Sequence, residues 1–183
     1  MLNGYYELCG RIYKDMIKDS GNRTEFETGA VRDIQEGKGR CDLLPIDAMP
    51  LIFETLHGDQ DSRVFMFNCL SGFVKTGEIE GLIVALDVFV SDHKAFDSLA
   101  DMLLEVSIHF EEGAKKYGER NWEKGIPTQR YIDSAVRHYL KWLRGDDDER
   151  HDRAFCWNII CCIWTCIHHP DLNDYGKGVD NGK

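Results

Sequence analysis

The chain has 183 residues, 43% of them hydrophobic and 30% charged, with a formal net charge of -10. This is ordinary globular composition, enough for one domain with a buried core. The acidic balance argues against duplex nucleic acid as a partner, because phosphate neutralisation needs a basic face, but not against a nucleotide, which needs only a few local cations or a metal.

The opening residues, MLNGYYELCGRIYK, carry no apolar signal-peptide core, and no run of about 18 apolar residues exists, so a cytoplasmic protein without a membrane span is expected. Seven cysteines are present, none spaced Cys-x-x-Cys, which reads as reduced thiols rather than a zinc or redox motif.

In chain order, the spacing of Leu2, Tyr5, Tyr6, Cys9, Ile12, Tyr13, Met16 and Ile17 predicts an amphipathic helix over 1–19. Residues 23–40 have little periodicity and three glycines, which predicts an extended arm made locally basic by Arg32, Lys38 and Arg40. It is either a solvated linker or an arm that folds over a site and supplies phosphate contacts. From Leu43 to Leu56 the spacing is helical, with a kink or restart at Pro50. The stretches 64–74 and 79–90 fit strands or buried helices; the helix-length breaks around them favour helices.

Helices are clear over Phe96–Tyr117, capped by Asp97 or Ser98, and over Arg130–Leu143, ended by Gly145. A third, from Glu149 to Ile167, is apolar nearly all round and should be central. The polar end, 171–183, is expected to be flexible. The fold class is all-α, divided into an N-terminal helix and arm (1–42), a helical domain (43–170) with an insertion at about 57–106, and the tail.

Ionic chemistry concentrates between Ile108 and Asn158. Asp146, Asp147, Asp148, Glu149 and Asp152 lie at one helix N-terminus, and carboxylates this close raise one another's pKa unless a cation joins them. Two explanations fit: acids complementing the helix dipole, or a Mg²⁺ clamp with Glu149 and Asp152 on one face. Glu105, His109 and Glu112 share a face of the preceding helix, where Glu111 and Lys115 also form an i,i+4 pair. Asn158 stands in an apolar run and needs partners, either a structural hydrogen bond or a base edge. Trp122 can stack on a base or cap the core. His151-Asp152 is a His-Asp dipeptide, but the further ligands of the HD phosphohydrolases find only a weak match in His138 and Asp133.

Three stretches, FEEGAKKYGERNWEKGIP (110–127), RYIDSAVRHYLKWLRG (130–145) and DDERHDRAFCWN (147–158), resemble the N-terminal domain of phage and prophage dATP/dGTP diphosphohydrolases, and FETGAVRDIQEGKGRCDLLPIDAM upstream also fits. That family is similar to MazG-like all-α nucleotide pyrophosphohydrolases. The resemblance implies a helical bundle, usually oligomeric, that cleaves purine (d)NTPs to (d)NMP and pyrophosphate with Mg²⁺. It implies catalytic roles for Glu111, Glu149 and His151. Metal ligands would come from Glu111, Glu112, Asp148, Glu149 and Asp152. Nucleotide contacts would come from Lys115, Lys116, Asn121, Trp122, Arg137 and His138, to which the reading of the loop and helix faces adds Lys124, Arg130 and Asn158. One departure is visible: the chain has Glu149-x-x-Asp152 but no Glu-x-x-Glu on the helix from Phe96. The alternative is a nucleotide-binding protein without turnover, such as a phage sponge for nucleotide-derived immune signals.

Overall fold

A computed structural model describes residues 21–36, 38–58, 61–93 and 95–176, together with the backbone of two short strands, β1 (Tyr5–Leu8) and β2 (Arg11–Lys14). These pair antiparallel, Tyr5 opposite Lys14 and Leu8 opposite Arg11. The hairpin replaces the helix expected over 1–19. Its tyrosines and Ile12 are strand formers, and Gly10 falls between the two runs, so the period-2 reading wins over the helical one. The remainder of that expected helix lies outside the described residues.

A second hairpin, β3 (Arg23–Glu25) with β4 (Val31–Asp33), forms the arm; Arg23 faces Asp33 and Glu25 faces Val31. The rest is helical: α1 (Met49–His57), α2 (Ser62–Thr76), α3 (Glu80–Ser91), α4 (Leu99–Tyr117), α5 (Thr128–Arg144) and α6 (His151–His168). Pro50 falls in the first turn of α1, where its missing N–H costs nothing, so it starts that helix rather than kinking one. Asp61 caps α2 and Ser98 caps α4, each accepting a backbone N–H. Gly77 and Gly145 end α2 and α5 in the left-handed conformation.

The helix α6 is buried from His151 to Phe155 and at most positions onward to Thr165, and α5 packs along it. Its aromatic neighbourhood joins all the helical layers: Phe89 of α3 lies 4.6 Å from Phe155 and 5.0 Å from Trp142, and Phe67 of α2 lies 5.7 Å from Tyr139. Phe67, Leu70, Phe73, Leu82 and Phe89 are fully buried, worth about 1.5–3 kcal/mol each in transfer free energy. The stretch 57–106 therefore shares the core of the other helices. The pair α2–α3 approaches closely at Gly81, where a Cβ would stand 2.5 Å from the Cys69 carbonyl oxygen.

Residues 170–175 do not fray. Pro170–Leu172 form a 3-10 turn, Asn173 Nδ2 donates to the Gly77 carbonyl at 2.9 Å, and Asp174 accepts from the Gln129 N–H at 2.9 Å. Asp174 thus supplies the cap that Pro127 cannot give the N-terminus of α5. Residues 177–183 lie outside the described part of the chain.

Candidate functional site

The arm is tied to the bundle through backbone and amide contacts. Asn121, in a 3-10 turn after α4, accepts from the Val31 N–H at 2.9 Å and donates to the Val31 carbonyl at 2.8 Å. Thr28 Oγ1 donates to the Gly125 carbonyl at 2.6 Å, and Lys124 Nζ to the Gly29 carbonyl at 3.1 Å. Asp133 of α5, 2% exposed, receives the backbone N–H of Cys41 at 2.6 Å, the Gln35 amide at 2.7 Å and the Arg137 guanidinium at 2.5 Å. These contacts tie the arm to α5 and to the turn after α4, beside an open cavity of about 820 Å³ that α4 and α6 also line. That volume suits a nucleotide-sized ligand.

Seven cations line the cavity: Arg32, Lys38, Lys116, Arg120, Arg130, Arg137 and Lys141. Most sit against carboxylates, as Lys38 does with Asp33 at 2.5 Å and Arg120 with Glu123 at 2.5 Å. Arg32 differs. Its guanidinium donates to Asn158 Oδ1 at 2.8 Å, Ser134 Oγ at 3.2 Å and the Arg130 carbonyl at 3.3 Å, all neutral acceptors. It stacks over Tyr131 and Trp157 at 5.2 and 5.6 Å. Burial lowers its pKa, yet an arginine does not lose its proton in a protein. Among the described residues this partly buried cation is met only by dipoles and ring faces, which sets it to receive an anion.

Where α5 meets the start of α6, two imidazoles face one another. His138 Nδ1 is 3.0 Å from His151 Nδ1, and Glu149 Oε1 is 3.5 Å from the first and 3.6 Å from the second. His151 Nε2 bonds Asp148 Oδ1 at 2.8 Å, and Lys141 Nζ reaches Asp148 at 3.0 Å. Burial works to raise the Asp148 pKa, but these two hydrogen bonds outweigh it and hold the carboxyl well below the usual range. Burial, then repulsion from His151, pushes His138 well below the usual histidine range. Two sets of ligating atoms could hold a divalent ion, His138–Glu149–His151 and Asp146–Asp148–His151, each with its atoms within 4.8 Å of one another.

The other expected metal ligands are engaged elsewhere. Asp152 makes a bidentate pair with the buried Arg150 at 2.7 and 2.8 Å, and Arg150 also meets Glu105 at 3.0 Å. Glu112 takes Arg153 at 3.0 Å. Glu111 is exposed and paired with Lys115. So the five carboxylates Glu111, Glu112, Asp148, Glu149 and Asp152 do not come together in one cluster, because guanidinium groups 41 and 45 residues away in sequence claim Glu112 and Glu105 and a local one claims Asp152.

Of the expected nucleotide contacts, Lys116, Arg130, Arg137 and His138 line the cavity with ionic groups. Asn121 and Asn158 line it too, but their amides are spent on Val31 and on Arg32 and the Ala154 carbonyl. Trp122 also lines the cavity, while its ring packs 5.2 Å from Phe110 and 4.9 Å from Trp164. Lys115 is held by Glu111 at the surface and Lys124 by the Gly29 carbonyl. Arg32 and Lys38, two of the arm's expected cations, and Gln35, which the sequence did not single out, line the site from the arm. The one signal for them was the arm's basic composition, which cannot say which cation turns inward.

Residues 93–175 match the family model described as dATP/dGTP diphosphohydrolase, N-terminal, which covers α4, α5, α6 and their connections and somewhat under half of the chain. No curated protein and no solved structure matches the chain.

Proposed function

Because residues 93–175 match the dATP/dGTP diphosphohydrolase N-terminal family model, we propose that the protein is a nucleotide pyrophosphohydrolase that takes purine (d)NTPs to (d)NMP and pyrophosphate. The observation that carries this reading is Arg32, a partly buried guanidinium that among the described residues is hydrogen-bonded only to neutral acceptors in the wall of a cation-lined cavity. A triphosphate supplies the missing negative charge through charge-assisted bonds to Arg32, with Lys116, Arg130 and Arg137 nearby in the same wall.

In this reading Mg²⁺ would accompany the triphosphate, as an ion that favours one or two carboxylates plus phosphate oxygens. Of the expected ligands, Asp148 and Glu149 are the ones grouped with His151 and would hold it. When bound it would supply charge neutralisation at the phosphates. The chain's own part is to fix the phosphates with the arm and α5 and to present His138, His151 and Glu149 at the edge where water is activated. Exposed leucines along α4, Leu99, Leu103 and Leu104, support self-association of the bundle.

A second reading, binding without turnover, is favoured by one observation: Glu112 and Asp152 face buried arginines, so the two-helix carboxylate clamp of MazG-like enzymes is not assembled. Incubation with each dNTP and Mg²⁺, followed by ion-exchange separation of pyrophosphate, decides between the two. Release with a purine dNTP, abolished in Glu149→Gln, upholds hydrolysis. Thermal stabilisation by a dNTP without release upholds the binder. Neither effect with any nucleotide sinks both.

A further inference from the structure

We infer that His138, His151 and Glu149 form a resident site for a borderline divalent transition ion of the Zn²⁺, Co²⁺, Fe²⁺ or Mn²⁺ class, distinct in chemistry from the Mg²⁺ that accompanies a nucleotide. This deepens the reading of the cavity given above, but it stands on the geometry of three side chains and needs no hydrolysis to be right. The three donor atoms form a triangle with edges of 3.0, 3.5 and 3.6 Å. An ion holding ligands at about 2.1 Å separates neighbouring donors by roughly 3.0–3.4 Å in octahedral or tetrahedral geometry. A single N–H···N bond between the rings accounts for the shortest edge. It does not account for the Glu149 carboxylate converging on the same two nitrogens.

The outer contacts orient the ring as such a site needs. Asp148 lies 2.8 Å from His151 Nε2, which turns Nδ1 to the side of His138 and Glu149. Lys141 in turn holds Asp148. A carboxylate on the far nitrogen of a ligating imidazole is the usual outer partner of a metal site. His138 and Glu149 also line the cavity, so open coordination positions would face a ligand there.

The donor set decides the ion. Two imidazole nitrogens and one carboxylate suit first-row transition ions, whereas Mg²⁺ prefers oxygen alone. The neighbouring group, Asp146–Asp148–His151, is the weaker candidate. Arg144 already bridges Asp146 and Lys141 bridges Asp148, so an ion there would have to displace two cations.

The test uses the full chain, stripped with chelator and titrated with Co²⁺. The expected result is one equivalent bound, visible d–d absorption without a thiolate charge-transfer band, displacement by Zn²⁺, and no displacement by a large excess of Mg²⁺. His138→Gln and Glu149→Gln should abolish the bands. Asp148→Asn should keep them while weakening binding roughly 10–100-fold. Asp146→Asn should change nothing. X-ray absorption on Co²⁺-loaded wild type, expected to show two imidazoles and no sulfur, keeps the test independent of whether a variant folds. Absent bands, sulfur ligation, or bands lost in Asp146→Asn but kept in Glu149→Gln each overturn the site. Pyrophosphate release with Mg²⁺ but no Co²⁺ bands overturns the ion site alone. Co²⁺ bound without pyrophosphate release overturns hydrolysis alone.

Discussion

Replacing Arg32 by methionine separates ligand binding from folding. In the folded protein the guanidinium gives three hydrogen bonds to neutral acceptors and stacks on two rings. Methionine keeps most of the stem's packing but leaves Asn158 Oδ1 without its donor, a cost of about 1–3 kcal/mol. Against that, a partly buried charge with no carboxylate partner among the described residues no longer has to be desolvated, a relief of the same order. Net stability should therefore move by about 1 kcal/mol or less. Binding has no such offset. Each charge-assisted bond from Arg32 to a phosphate oxygen is worth about 1.5–3 kcal/mol, so losing one weakens affinity by roughly 10- to 150-fold. Calorimetric titration with a non-hydrolysable dATP analogue, paired with urea unfolding, reads both quantities. Arg32→Lys should recover little of the affinity, because a point charge on that stem lacks the fork that reaches three acceptors and a phosphate together. Unchanged affinity in a folded Arg32→Met protein would refute the assignment of Arg32 to the ligand, and a stability loss above about 3 kcal/mol would show the residue to be structural.

Further outcomes follow from contacts remote from the phosphate wall. Arg150→Met should cost about 3–5 kcal/mol in chemical denaturation, since it strands buried Asp152 without its cation and leaves Glu105 only the longer contact to Arg153 at 3.8 Å; Arg150→Met with Asp152→Leu should recover much of that loss, and failure to recover would deny that stranded charge is the cause. Burial, helped by Arg153, pulls the His109 pKa down to about 3, so its folded value lies below its unfolded one. Its contribution is then complete above pH about 6.5 and falls by about 1.4 kcal/mol per pH unit as acid is added, until the folded value is reached. Unfolding curves between pH 7.5 and 4.5 should lose one proton's worth of slope in His109→Leu, and an identical slope would place the proton uptake elsewhere. Gly81→Ala should lower the melting temperature by an amount equivalent to about 1–3 kcal/mol, because the new methyl meets the Cys69 carbonyl at the crossing of α2 and α3; an unchanged melting temperature would mean that the crossing yields freely.

How far the sequence carried can be judged from particular residues. Apolar spacing and helix-length breaks placed α2 through α6, because each buries one face or, in α6, nearly all faces. Periodicity misled at Tyr5–Lys14, where apolar residues at mixed spacings fit a hairpin as well as a helix. The run from Asp146 to Asp152 showed its charge but not its division. Pairing of Asp152 with Arg150 is local, yet the diversion of Glu105 and Glu112 depends on how α4 crosses α6, which no local pattern encodes. Arg32 was legible as one cation of an arm that could cover a site, but not as the one held against α5 and α6, since its partners Ser134 and Asn158 lie 102 and 126 residues along the chain.

The double hydrogen bond between the Asn121 amide and the Val31 backbone spans 90 residues. Closing so long a loop is an entropic cost met late, after the helices have packed. Any loss of these bonds lowers the measured affinity for a cavity ligand by the fraction of molecules that still hold the arm in place. Asn121→Ala touches no ligand in this scheme. It should nevertheless weaken binding in proportion to the docked population it removes, and a saturating ligand should in turn protect residues 23–40 from proteolysis.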